Sequence, residues 1–245
     1  MRNFLSALSF LTVLPAGRKR LNAAVNSALF FPVIGLLIGL LCYAVDWFCN
    51  ALLFPEIRPL VLAFFLAAIT GGLHLDGLAD SADGLLSHRP REDMLRIMHD
   101  PRVGTMGTLA LVFGLGFKVA ALTALTGPGA AVWLIAAPAI ARTTLTAGIV
   151  MYPHARPEGG THSHFYQRGQ WSLLGLCWLP FLIPLIHNPV SGTCALLLFA
   201  GIFYLFNRYV CLKLGGITGD TLGALCEIME TVLLLFGAFA IAKGF

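Results

Sequence analysis

Seven apolar stretches of this chain are candidate membrane spans, and that leaves few ways to fold it. A hydrocarbon core about 30 Å thick needs about 20 apolar residues per helix. The stretches lie at 28–54, 59–75, 105–126, 130–151, 171–187, 192–211 and 228–243. Charged residues make up only 11% of the 245 residues and hydrophobic ones 58%, with a mean hydropathy of +0.82. A soluble domain carries roughly 25% charged residues, and disorder needs low hydrophobicity with high charge, so both classes are excluded. The expected fold is an all-α polytopic membrane bundle of about seven transmembrane helices, forming a single domain over 1–245.

The stretch 171–187 is short and holds Pro180 and Pro184, which predicts a kinked or tilted helix. Residues 1–14 resemble a short export signal, but Arg18-Lys19-Arg20 follows directly and would hinder translocation of what comes next. The expectation is a retained interfacial or re-entrant segment. Cys42, Cys49, Cys177, Cys194, Cys211 and Cys226 have no CxxC spacing and lie mostly in apolar runs, as expected of small apolar packers rather than a disulfide framework or zinc site.

Charge placement sets the orientation. With the N-terminus inside, twelve of the 16 basic residues fall on the cytoplasmic side, Arg58 and Lys243 fall opposite, and Lys118 and Arg142 lie within spans. That is a strong positive-inside asymmetry. The acidic residues and six of the seven histidines gather at the same face, which a simple anchor does not require.

The segment Gly71-Gly72-Leu73-His74-Leu75-Asp76-Gly77-Leu78-Ala79-Asp80-Ser81-Ala82-Asp83-Gly84 carries most of the chemistry. Asp76, Asp80 and Asp83 are spaced i, i+4, i+7 and fall within about 60° on a helix. Three like charges on one face repel unless a cation neutralises them. Hard oxygen ligands suit Mg²⁺, which takes one or two carboxylates and fills its shell from substrate phosphates. His74 falls on the other face. Arg89 to Asp100 reads as an amphipathic interfacial helix with Met94, Leu95, Ile97 and Met98 on its apolar side. Arg89, Arg96 and Arg102 have forked donors suited to phosphate, set against plain positive-inside decoration.

A second motif, Leu214-Gly215-Gly216-Ile217-Thr218-Gly219-Asp220, opens the last helix. It is no Walker loop, but its backbone N–H groups at a helix N-terminus suit phosphate, with Gly216 and Gly219 as candidates. Asp220, Glu227 and Glu230 then form a second acidic face. Arg142 is costly within hydrocarbon and needs a buried carboxylate or a substrate phosphate as partner. His162 and His164 lack the second ligand pair of a zinc site. The residues alone point to a membrane transferase handling a diphosphate.

The strings GGLHLDGLADSADG (71–84), IMHDPRVGTMG (97–107) and LGGITGDTLGALCEIME (214–230) resemble the signature segments of the cobalamin synthase (adenosylcobinamide-GDP ribazoletransferase) family. SALSFLTVLP (6–15) and FFPVIGLLIG (30–39) resemble its N-terminal region. The family tends to show an EGLG-like stretch where this chain reads Pro157-Glu158-Gly159-Gly160-Thr161-His162, so no role is carried onto Glu158 or Gly160. The resemblance implies transfer of the cobinamide-phosphate moiety of adenosylcobinamide-GDP to alpha-ribazole, or its 5′-phosphate, with release of GMP. It implies Mg²⁺ as cofactor and Asp76, Asp80, Asp83 and Asp220 as metal ligands. Arg89, Arg96, Arg102, Arg142, Gly216 and Gly219 would hold substrate, with Asp83, Glu227 or His74 as base. The expected setting is the bacterial inner membrane, with a cytoplasmic site, lipid around it, other nucleotide-loop assembly enzymes as neighbours and no nucleic acid. Rival readings are a CDP-alcohol phosphotransferase, a prenyltransferase or a transporter. Against the first, Ala79 stands off register after Asp76-Gly77 and no arginine follows. Against the last, the carboxylates gather at one mouth rather than the midplane.

Overall fold

The computed structural model describes residues 2–15, 26–52, 55–155 and 169–245. The Arg18-Lys19-Arg20 run, Arg156, Glu158, His162, His164 and Arg168 lie outside the described residues. Among the described residues ten α-helices follow one another: α1 (Arg2–Leu11), α2 (Phe31–Leu52), α3 (Arg58–Ile69), α4 (Leu73–Leu85), α5 (Arg91–Ile97), α6 (Thr105–Ala124), α7 (Ala130–Met151), α8 (Leu179–His187), α9 (Pro189–Leu214) and α10 (Gly219–Ala242). The described residues contain no named strand. The all-α polytopic expectation holds.

Seven full crossings do not. Among the described residues five helices are long and apolar enough to span alone, with a sixth if α3 and α4 count as one span bent by 87°. Helix α3 has 12 residues, about 18 Å at 1.5 Å per residue, well short of the hydrocarbon core. It stops because Gly71 and Gly72 take positive φ, 60° and 74°, a backbone that glycine adopts without steric cost. The expected span 171–187 is instead a 3₁₀ turn at Trp171–Leu176 followed by the nine-residue α8. Asn188 then caps α9 by accepting from the Val190 and Ser191 N–H groups at 2.9 and 3.1 Å. The last helix begins at Gly219, as the 214–220 motif leads one to expect, so the apolar stretch 228–243 is only part of a longer helix that includes Asp220 and Glu227.

Alternation between two ends survives these shortenings. At one end Arg58 donates to the Leu122 and Leu125 carbonyls at 2.8 and 3.2 Å and pairs with Asp46. Gly129 lies there too, beside His187 and Ile241. At the other end α4 contacts the N-terminus of α10 through Gly77 and that of α6 through Asp83, and α5 is tied to the end of α9. Helix α1 is shorter than a span and is no loose anchor: Ala7 and Leu11 have no exposure, and the Val13 N–H donates to the Ile69 carbonyl at 2.9 Å. The apolar side of α5 packs on protein. Its Met94, together with Met98 just beyond it, packs on Gly84 of α4, and Met94, Leu95 and Met98 are buried.

The centre is α7, crossed by α2 and α10. A Cβ on Gly35 would sit 2.6 Å from the Pro138 carbonyl oxygen, and Gly39 abuts the Ile135 backbone equally closely. This small-xxx-small contact brings two backbones together where lipid offers no hydrophobic driving force. Beside it, Arg142 of α7 pairs with Glu230 of α10, and Lys118 of α6 pairs with Glu227 and, at 2.8 Å, with Glu230. All four are buried.

Two cations face two carboxylates, so this cluster is neutral and Glu230→Gln leaves one positive charge unpaired. Removing one partner of a buried pair costs about 3–5 kcal/mol. Glu230→Gln should therefore lower the melting temperature in detergent strongly. The double variant Arg142→Met/Glu230→Gln restores neutrality and should recover part of that loss. A double variant no more stable than Glu230→Gln would show that charge balance does not hold these helices.

Candidate active site

Helix α4 lies across the N-termini of two other helices, and that placement builds the site. At its start, a Cβ on Gly77 would meet the Asp220 carbonyl oxygen at 2.7 Å, and one on Gly223 would meet the His74 Cα at 3.5 Å. The segments 71–84 and 214–230, far apart in sequence, thus touch backbone to backbone. At its end, the Asp83 carboxylate accepts from the Gly104 and Gly107 N–H groups at 2.7 and 2.8 Å. These are first-turn amides of α6 that lack helical acceptors, and a carboxylate there also complements the helix dipole.

Between α1, α2, α4, α7 and α10 opens a cleft of about 210 Å³. Its walls are Phe10, Leu11, Phe31, Leu145, Ile149 and Leu222, and Asp76, Gly219 and Asp220 line it as well. Phe10 and Phe31 stack with centroids 5.7 Å apart. Asp76 and Gly219 are exposed, Asp220 is half-buried and His74 is buried. The charges of Asp76, Asp220 and Asp83 all act on Asp80, so the two acidic segments form one field. Among the described residues, no Lys, Arg or His makes a salt bridge with Asp76 or Asp80.

The other candidates separate. Asp83 caps α6. Glu227 is held by Lys118 and faces the groove beside Leu78, Phe117 and Leu235 rather than the cleft. Arg142 meets a carboxylate, the first of its two expected partners, and also donates to the Pro138 carbonyl at 3.2 Å. Gly216 is packed against backbone, where a Cβ would lie 2.5 Å from the Pro153 carbonyl oxygen. The Ile217 N–H donates to Pro153 at 2.9 Å and the Ala155 N–H returns to Ile217 at 2.8 Å, so this glycine serves a backbone clasp. Gly219 does reach the cleft. Thr218 and Thr221 form a reciprocal capping box at the α10 start.

Arg96 pairs with Asp93 at 2.6 Å, and Arg102 grips Asp100 through two bonds of 2.9 and 2.6 Å. The Arg102 guanidinium holds the Asp100 carboxyl at about 2, below the usual carboxylate range. Arg89 is exposed. Sequence reasoning missed Arg91, which donates to the Leu214 and Ala155 carbonyls at 2.7 and 2.6 Å and ties α5 to the end of α9. Its signal was only its place at the start of an acidic-then-apolar helix.

No group of three or more His, Cys, Asp or Glu side chains stands close enough to hold a metal among the described residues. A full protein cage is therefore absent. The donor set suits a hard cation that takes one or two carboxylates and completes its shell from a bound diphosphate.

The match to the model of the cobalamin-5-phosphate synthase family runs from residue 3 to 238. The chain belongs to that family. Adenosylcobinamide-GDP ribazoletransferase of Roseiflexus sp. (strain RS-1) is 42% identical over 93% of this chain and 86% of its own length. The enzymes of the same name from Syntrophobacter fumaroxidans and Pseudomonas entomophila are 39% and 38% identical, over 95% and 96% of this chain and 96% and 98% of their own lengths. No solved structure gives a significant match. The segments the family shares therefore include both that meet at Gly77 and Gly223.

Asp83→Ala should expose the α6 N-terminus. Leaving the buried Gly107 amide unpaired costs about 1–3 kcal/mol, while the exposed Gly104 amide can turn to water. Hydrogen exchange at Gly104 and Gly107 should speed up with or without Mg²⁺. Protection unchanged in the variant would remove the capping role.

Proposed function

We propose that this protein is an adenosylcobinamide-GDP ribazoletransferase of the cell membrane. It transfers the cobinamide-phosphate moiety of adenosylcobinamide-GDP to alpha-ribazole, or to its 5′-phosphate. A hydroxyl oxygen of the acceptor bonds to the phosphorus that carries cobinamide, the bond from that phosphorus to the GMP oxygen breaks, and GMP leaves with the electron pair. The hydroxyl proton passes to water at the open mouth. The observation that carries the reading is the meeting of the two acidic, glycine-rich segments at one cleft, in a chain that aligns with its relatives nearly end to end.

Asp76, Asp80 and Asp220 are the residues we assign to Mg²⁺, which when bound neutralises charge on the diphosphate. Arg96 and Arg102 would exchange their surface carboxylate partners Asp93 and Asp100 for phosphate oxygens, since surface ion pairs contribute little and exchange readily, and Arg89 would add its exposed guanidinium. GMP is a good leaving group, so positioning and electrostatics supply most of the rate. We place the site on the cytoplasmic face of the inner membrane on the strength of the basic-residue asymmetry. The transporter reading loses ground because the mid-span charges Lys118, Arg142, Glu227 and Glu230 neutralise one another within the bundle. None of the four lines the cleft.

Purified protein given adenosylcobinamide-GDP, alpha-ribazole and Mg²⁺ should release GMP. Asp76→Asn and Asp80→Asn should each reduce that release by orders of magnitude while the protein still folds. Wild-type rates and wild-type Mg²⁺ dependence in both would remove the metal assignment. For orientation, Glu92→Cys in a Cys194→Ser background should resist an impermeant thiol reagent in intact cells and react after the membrane is opened. Ready labelling of intact cells would reverse the topology.

A further inference from the structure

We infer that the cleft between α1, α4, α7 and α10 seats the base of the acceptor nucleoside, with His74 as its specificity-determining residue. The inference rests on the proposed transfer and adds the ligand part and the contact that selects it. The cleft is lined mostly by apolar side chains, among them the stacked Phe10–Phe31 pair. Such a slot takes a planar aromatic body. At 210 Å³ it lies below the roughly 300–1,000 Å³ of drug-sized sites, which excludes a corrin ring and suits one bicyclic base.

His74 supplies the polar contact. It lines the cleft and is 2% exposed. Its Nδ1 faces the Cys226 Sγ at 3.9 Å, and its Nε2 is buried without any hydrogen-bond partner. A buried polar atom left unpaired is costly, and here a ligand can satisfy it. With the Cys226 thiol donating to Nδ1, the imidazole carries its proton on Nε2 and donates from there. The matching ligand is an apolar bicyclic base with one unprotonated ring nitrogen, the base of alpha-ribazole. Guanine fits worse. Its ring N–H, amine and carbonyl would enter apolar walls with one donor to meet them. Seated base-first, the nucleoside leaves its ribose hydroxyls at the mouth beside Asp76 and Asp220. His74 is then a positioning residue and not the base of the reaction.

Equilibrium dialysis of the full detergent-purified chain, without donor substrate, tests this with two probes: alpha-ribazole and its indole counterpart, in which C–H replaces the unprotonated ring nitrogen. Wild-type protein should bind the indole riboside roughly tenfold more weakly, the factor one hydrogen bond commonly contributes. His74→Phe should bind both probes with that weaker affinity. In turnover, His74→Phe should raise KM for alpha-ribazole by the same factor and leave kcat at saturation within a few-fold. Equal binding of the two probes by wild-type protein overturns the inference without reliance on any variant. So does a collapse of kcat at unchanged KM, or competitive displacement of alpha-ribazole by GMP. Tenfold discrimination in a protein that releases no GMP would retain the subsite and remove the reaction. GMP release without discrimination would do the reverse.

Discussion

In hydrocarbon a charge must be paired or absent, and four buried charges therefore fix how this bundle assembles. Lys118, Arg142, Glu227 and Glu230 come from three helices and balance one another. Glu230 is shared by both cations, so α6 and α7 are each registered against the same turn of α10. A slide of any one helix by a residue would strand a charge at a cost far above that of a packing fault. The glycine contact of α2 with α7 and the Arg58–Asp46 pair at the far end then set the remaining helices around this frame.

The site inherits its geometry from that register. With α10 and α6 fixed, their N-termini stand at one end of the bundle, and α4 has the length to reach from one to the other. It makes contact through Gly77 at one and Asp83 at the other. The bend that frees α4 from α3 depends on two consecutive left-handed glycines. Two helix dipoles point their positive ends at α4, which offsets part of the repulsion among its carboxylates. Asp83 uses up its own charge this way. Asp76 and Asp80 make no salt bridge among the described residues.

Much of this was legible in the sequence, and the failures have physical causes. The run of apolar helices and the gathering of Asp76, Asp80 and Asp220 at one end followed from hydropathy and charge placement. Hydropathy cannot distinguish a full span from a half-length helix followed by a bend, so α3 and the segment 171–187 were read as crossings. The need of Lys118 and Arg142 for partners was visible, and so was a second acidic face. That the two belong together was not, because the pairing spans more than eighty residues. Gly216 resembled a phosphate cradle because a glycine required by a close backbone and one required by a ligand look alike in one dimension. His74 was placed on the far side of its helix from the carboxylates. That side also lines the cleft.

The separation of the two faces of α4 carries the chemistry further than any single residue. One face presents charge to a wet mouth, where a diphosphate and cation can enter with their hydration. The other presents His74 to an apolar slot backed by stacked phenyl rings. An enzyme joining a highly charged donor to a largely apolar nucleoside faces two opposite solvation demands within a few ångströms. A helix lying across the bundle, rather than along it, meets both, because its two sides look toward water and toward the protein interior at the same depth. A helix running along the bundle axis would spread those groups over different depths. The bend at Gly71–Gly72 is what turns α4 out of line with α3, by 87°, and so lets its two faces meet different surroundings.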